Sequence, residues 1–364
     1  MLVLGTSLAV SPCMNRLLAL FLVLPIGLYG ACSSSGTDSA AAGTPAPGGD
    51  GVDGGGTTDA DAPDGPAATP DEMTKNPIEG IAAAKVAIDT GAFTGGPVWS
   101  AKEGVLFFTT PLGVGGLYRL AADGTATKVR DGVDGEPPIG NTVDKAGNLL
   151  TVEAKRITRG GLTADAGAPT PIATGYDDVA AEAGTGAFDT LKDAVVTANG
   201  TIYATDPGYF AAPVANRIFK VATTGKVTVV EAFVDVPRPN GIALTPDGKG
   251  LYVGFSQPMQ GTKPFVRKYV VNADGSLGAQ AKFLELDTDM QPDGIEVDLA
   301  GNVFIATKAG VMVFKADATK IGVVVVPEQP TACAFGGKDL KTLYITTQGT
   351  RIYQITVNVP GIVQ

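Results

Sequence analysis

One unit recurs six times along the chain: an apolar run, a glycine-bearing turn, then a second apolar run. The copies read "VWSAKEGVLFFTT", "TVDKAGNLLTVE", "AVVTANGTIYATD", "IALTPDGKGLYVGF", "IEVDLAGNVFIAT" and "AFGGKDLKTLYITT". Taking Leu106, Leu149, Ile202, Leu251, Val303 and Leu343 as equivalent gives spacings of 43, 53, 49, 52 and 40 residues. Periods of this size, with β-branched and aromatic runs bounded by Asp-Gly, Asn-Gly or Ala-Gly turns, read as propeller blades. Runs between the copies, such as "GLYRLAA", "RIFKVAT", "FVRKYVVN" and "VMVFKA", supply outer strands, enough for four short strands per unit. An open repeat array normally carries polar caps, and a β-sandwich does not need six equivalent turns. Radial closure buries each sheet against two neighbours. The expectation is an all-β, six-bladed β-propeller over residues 78–364.

Closure assigns a place to the residue before each innermost strand. Counting eight back from the turn glycines Gly147, Gly200, Gly248 and Gly301 gives Ile139, Lys192, Asn240 and Asp293. Matching the apolar runs adds Gly95 from "GGPVW" and Ala332 from "PTACAF". In a propeller these six slots form a ring at one mouth of the central channel. The alternative is that Asn240 and Asp293 only shape turns.

Composition narrows the chemistry. The 364 residues include no His, which removes the commonest general base and transition-metal ligand together. After Lys75 there remain 29 acidic and 25 basic residues, a net of about −4, with no basic face for phosphate, so nucleic acid is excluded as a partner. The N-terminal "MNRLLALFLVLPIGLYGAC" has a basic Arg16, an apolar stretch and small residues before Cys32. Its "LYGAC" resembles a bacterial lipobox, so residues 1–32 are read as a signal peptide ending at a lipidated Cys32. Residues 33–77 are acidic and rich in Gly, Ala and Pro, a disordered tether. The expected location is the cell envelope, in the periplasm, at the outer membrane or on the cell surface, with membrane contact through the lipid alone. Cys333 is then the remaining thiol, so the mature domain holds no internal disulfide; separately, the protein is expected to be monomeric. Cys333 lies in the apolar "ACAF" and reads as a buried filler.

Five pieces in order, "GGPVW", "LKDAVVTANGTIYATDPGYF", "PNGIALTPDGKGLYV", "PDGIEVDLAGNVFIAT" and "AFGGKDLKTLYIT", resemble the senescence marker protein/gluconolactonase/luciferin-regenerating enzyme family, which includes regucalcin-like proteins. The resemblance implies lactone or ester hydrolysis assisted by a divalent cation, commonly calcium, at the centre of the channel. Carried over, it makes Asn240 and Asp293 metal ligands, places Gly95 where the family has a Glu ligand, and places Lys192 where an Asn is usual. Asp193 is retained, and a Glu-His pair appears as Glu153-Ala154. Tyr209 and Phe210 of "TDPGYF" are expected to line the entrance, with Asp206 a turn former.

Calcium takes six to eight oxygens, so losing a carboxylate and adding an ammonium weakens such a site severely. Ca²⁺ with two carboxylates sums to zero charge, and so does Lys192 with Asp293. The ammonium is therefore expected to take the cation's place, held by Asp293 and Asn240. There it polarises a carbonyl, acts as a base after desolvation, or merely neutralises Asp293. The expected function is an exported hydrolase of small lactones or esters. Asp293 and Lys192 are its catalytic pair, Asn240, Asp193, Tyr209 and Glu153 contact substrate, and calcium is weakened or absent. The competing reading is a non-catalytic surface propeller that binds a small ligand or a protein.

Overall fold

The computed structural model describes residues 68–362 apart from 113–114, 161, 164, 166, 178–184, 210–215, 234–237 and 257–261. The signal peptide, Cys32, most of the tether and Phe210 lie outside these residues.

Among the described residues there are twenty-six strands, β1 to β26 in chain order, and one short 3-10 turn, Glu72–Thr74. They form six antiparallel-hairpin sheets, and the six repeats are the innermost hairpin of each. The innermost strands are β2 (Gly95–Ser100), β6 (Pro138–Val143), β12 (Asp193–Val196), β16 (Arg238–Leu244), β20 (Ile295–Val297) and β24 (Pro330–Gly336). Each touches the innermost strands of both neighbouring sheets, so the ring is closed: a six-bladed β-propeller. The last blade joins both ends of the domain. Its outermost strand is β1 (Lys85–Asp89), paired antiparallel with β26 (Arg351–Thr356), and Arg351 Nε sits 3.2 Å from an Asp89 carboxylate oxygen across that pair. The third blade departs from the four-strand pattern: β10 (Tyr176–Asp177) and β11 (Thr185–Gly186) widen it to six.

The repeated turn has a plain cause. Gly147, Gly200, Gly248 and Gly301 have φ of 75°, 86°, 65° and 84°, where a side chain is strained. Their N–H groups donate to the carbonyls of Asp144, Thr197, Thr245 and Asp298, three residues back. Aromatic rings then fill the space between blades. Phe304 meets Phe335 edge-on at 5.1 Å, Phe233 meets Phe255 at 5.1 Å, and Trp99 stacks on Tyr344 at 6.0 Å. Trp99 is thus core between the first and last blades.

Glycines beside the slots serve a different need. A Cβ on Gly241 would lie 2.1 Å from the Asp293 carbonyl oxygen of the next blade, and one on Gly140 would lie 2.7 Å from that of Lys192. Around the axis, each slot's main chain therefore nests against the residue after the preceding slot. The Gly241 N–H donates to Asp293 O at 3.0 Å and the Gly294 N–H to Thr331 O at 2.8 Å, knitting neighbouring blades together. Register shifts at the start of β2, β6, β16 and β24 bulge these strands at the slots, a geometry that re-aims side chains.

Residues 69–77, assigned to the tether by composition, include an ordered segment. Glu72 pairs with Lys341, and Asn358 donates from its backbone N–H to Pro77 O and from Nδ2 to Asn76 O, each at 2.9 Å. Ile78 and Ile81 pack onto the last blade's apolar cluster. The folded part therefore starts before residue 78, because two local apolar side chains and a few hydrogen bonds anchor it.

Candidate functional site

All six slots, Gly95, Ile139, Lys192, Asn240, Asp293 and Ala332, line one cavity at the mouth of the channel. The space open to the centre of a water-sized sphere is about 40 Å³, room for roughly two or three waters. Lys192 Nζ lies 3.4 Å from Asp293 Oδ1, with side chains only 13% and 18% exposed. Asn240 Nδ2 donates to Ser256 Oγ at 3.2 Å, which fixes the amide and leaves Asn240 Oδ1 buried without a hydrogen-bond partner among the described residues. Among the described residues the Lys192 ammonium is the one group that meets Asp293 Oδ1.

The charges at the hub bias one another. Burial raises Asp293 above its ordinary value, opposed by the Lys192 ammonium. Burial alone would lower Lys192, but Asp293, Tyr209 and Asp193 outweigh it and hold the amine above its ordinary value. Lys192 is therefore an ammonium at neutral pH, and the expectation that desolvation makes it a base is corrected by its anionic neighbours.

Asp193 follows Lys192 where four of the other five slots are followed by glycine. Its carboxylate accepts from the Ala194 N–H at 2.9 Å and reaches the Ile242 N–H of the next blade at 3.4 Å. Burial pushes its pKa up to about 7, against the pull of those N–H groups and Lys192. At a pH well below 3.8 the group is protonated both folded and unfolded; between there and about 7 the folded protein keeps a proton that the unfolded chain releases. Stability thus falls as pH rises through this window and levels off above it. Asp193→Asn should flatten that decline, which thermal melts from pH 5 to pH 8 measure directly; an unchanged slope would remove Asp193 as its source.

Asp206, at the end of β13 (Ile202–Asp206), is a loop organiser. Its carboxylate accepts from the N–H groups of Asp189, Thr190 and Gly208 at 2.8, 2.9 and 3.0 Å. These bonds fix the loop before Lys192 and the one before Tyr209. Removing the acceptor in Asp206→Ala leaves three buried or half-buried N–H donors unsatisfied, an expected loss of about 2–4 kcal/mol in denaturant unfolding.

Tyr209 sits within charge reach of Lys192 and Asp293, and Arg238 stacks on its ring at 4.9 Å. Burial, the largest influence, raises its phenol. Glu153 does not reach the cavity. It ends β7 (Leu149–Glu153), is fully buried, and is sealed by Arg130 at 2.8 Å and Arg156 at 3.6 Å. Its assignment to substrate contact is corrected on that ground: both guanidiniums cover it. Arg238 escaped notice in the sequence, where it stands two residues before Asn240 with no motif to mark it. Cys333 is a buried free thiol that also lines the cavity.

Calcium does not fit these residues as they stand. One orphaned oxygen, Asn240 Oδ1, and the Asp293 carboxylate have the right chemistry for a hard cation. But Gly95 offers no side chain, an ammonium is already against Asp293, the Asp193 and Glu296 carboxylates that also line the cavity accept backbone N–H groups of their own strands, and among the described residues no group of three or more Asp, Glu, His or Cys could hold a metal.

The family profile described as SMP-30/Gluconolactonase/LRE-like region matches residues 93–349. The chain belongs to this family. Pentonolactonase XacC of Haloferax volcanii is 38% identical over 138 residues, 36% of this chain and 45% of that relative. The gluconolactonase of Zymomonas mobilis is 28% identical over 177 residues, 44% of this chain and 48% of that relative. The chain thus spans about half the length of the curated relatives it matches. Regucalcin of Agrobacterium tumefaciens, described as a calcium-binding protein, shares the fold with a TM-score of 0.62 at 19% identity, over 78% of this chain and 98% of that one.

Proposed function

We propose that the protein hydrolyses small lactones or related esters at the hub, with the Lys192 ammonium where a divalent cation stands in metal-dependent relatives. The observation that carries this is the 3.4 Å Lys192–Asp293 pair, set in the ring beside the orphaned Asn240 oxygen. The names of the pentonolactonase and gluconolactonase relatives support the reaction class. The lactone sits at the mouth with its carbonyl directed at Lys192. Water from the hub attacks the acyl carbon while Asp293 takes its proton. Negative charge grows on the carbonyl oxygen and is met by the ammonium, already in place and partly desolvated. The tetrahedral intermediate then collapses, the ring carbon–oxygen bond breaks, and the proton on Asp293 passes to the leaving alkoxide. A hydroxy acid is released and the hub returns to its starting charge.

Raised by burial, Asp293 is a better base than an exposed carboxylate, and the neighbouring ammonium opposes that rise and favours the ionised form. Proton release from a panel of aldonolactones, followed at constant pH, tests the reading. Turnover of at least one lactone is expected, and none across the panel would reject it. A non-catalytic binding propeller is the second reading, favoured by the water-sized hub and by Ala154 where the family carries a His. We also propose that the domain works outside the cytoplasm, tethered through a lipidated Cys32. Incorporation of labelled palmitate into the wild type, lost in Cys32→Ser, is the expected result.

A further inference from the structure

Arg238 opens β16 two residues before Asn240 and is half-buried. Arg130, Arg156, Arg159, Arg267 and Arg351 each pair with a carboxylate. Arg238 does not. Among the described residues its one partner is the Tyr209 ring, whose centroid is 4.9 Å from the guanidinium carbon. The charges of Lys192, Asp293 and Arg238 all act on that phenol, and β16 carries Arg238 two residues before the cavity-lining Asn240.

A ring contact is not a hydrogen bond to oxygen, so the guanidinium keeps N–H donors for an oxygen acceptor. A planar fork with free donors, held in orientation by a ring, is suited to a bidentate oxyanion. Charge points the same way. Lys192 and Asp293 cancel, the Asp193 carboxylate is engaged by two backbone N–H groups, one within its own blade and one from the next, and the buried Glu296 carboxylate accepts from the Val297 N–H. Arg238 adds a cation with no carboxylate partner among the described residues, two residues along β16 from the cavity-lining Asn240, in a domain that is itself slightly acidic. An acidic protein that keeps such a cation beside its cavity is built to draw an anion there.

We propose that Arg238 selects lactones carrying an anionic group, a carboxylate, phosphate or sulfonate, at the end remote from the ester. The assignment rests on the lactonase reading of the same hub. The anionic group is held by the Arg238 fork over Tyr209, which leaves the ester carbonyl free to face Lys192. Neutral lactones reach the same chemistry without this hold.

The full chain is assayed with lactones that share one ring and differ only in the substituent outside it: hydroxymethyl, carboxylate, phosphate or sulfonate. Wild type should favour at least one anionic lactone over the neutral one by about tenfold or more in kcat/KM, the size expected for hydrogen bonds to a charged group. Arg238→Gln should collapse that ratio toward one, while Arg238→Lys, which keeps the charge but not the fork, retains part of it. Comparison of the three anions identifies which group the site prefers. Calorimetric binding of glucuronate and of glucose separates the two readings. If no lactone turns over yet glucuronate binds more tightly than glucose in an Arg238-dependent way, the lactonase reading fails and the anion site stands. If lactones turn over with equal kcat/KM whatever their charge, or if Arg238→Gln leaves the preference intact, the proposal is overturned. Melting temperatures within a few degrees of wild type exclude unfolding as the cause in either variant.

Discussion

Asp293→Asn is expected to lower kcat/KM for lactone hydrolysis by about 10²–10⁴, the usual worth of a positioned base. The amide is nearly the same shape, so the ring of blades stays closed through the Gly241 N–H bond to the residue-293 carbonyl, which does not depend on the side chain. What is lost is the proton acceptor and, with it, the counter-charge 3.4 Å from Lys192. Both changes act on the same step: water is no longer deprotonated, and the amine loses the neighbour that most supports its charge. Lys192→Met removes the other half and should cost about 10²–10³, as for removal of an oxyanion donor. Because the two groups act on one transition state, the double variant should lose far less than the product of the single losses. Steady-state kinetics on the three variants measure this. A loss below tenfold in Asp293→Asn would show that the hub uses another base.

Glu153→Ala is expected to destabilise the fold by about 3–5 kcal/mol, the cost of leaving one side of a buried ion pair uncompensated. Glu153 is fully buried at the end of β7 and faces Arg130 from the first blade and Arg156 from its own. Arg130 also donates to the Thr158 hydroxyl and the Asp131 carbonyl, so it cannot swing into water without breaking those bonds. Two guanidiniums would then face each other across an empty pocket. Exposed pairs offer the contrast: Lys282–Glu285, with side chains 55% and 43% exposed, should contribute no more than about 1 kcal/mol. Urea unfolding of Glu153→Ala and Glu285→Ala side by side measures the difference. Equal and small losses would mean that the Glu153 network is weak and that this end of β7 is free to serve a substrate after all.

The six inner hairpins were legible because their information is local. Each carries its own glycine at positive φ and its own pair of apolar runs, and no distant residue is needed to recognise them. The slot residues were legible for a related reason: Asn240-Gly241 and Asp293-Gly294 combine a polar side chain with a glycine that the next blade's backbone requires. Their meeting at one cavity followed from counting. What escaped the sequence depends on contacts between blades. Glu153 looked like a mouth residue by position, yet Arg130, more than twenty places earlier, comes across from another blade to cover it. Arg238 carries no motif, and its significance lies in the Tyr209 ring and in the lack of a carboxylate partner among the described residues, both set by the tertiary fold. The rise in the Lys192 pKa was missed because burial and three anionic or polar neighbours compete, and sequence alone does not say which wins. β1 and the two extra strands of the third blade are likewise completed only by partners remote along the chain.

Calcium titration of the full chain by calorimetry, paired with lactone hydrolysis in excess chelator, tests the central claim most directly. If the Lys192 ammonium holds the place of the cation, no calcium binding appears at micromolar concentration and hydrolysis is the same with chelator as without. Micromolar calcium binding that Asp293→Ala abolishes, together with turnover lost on chelation and restored by calcium, would contradict it.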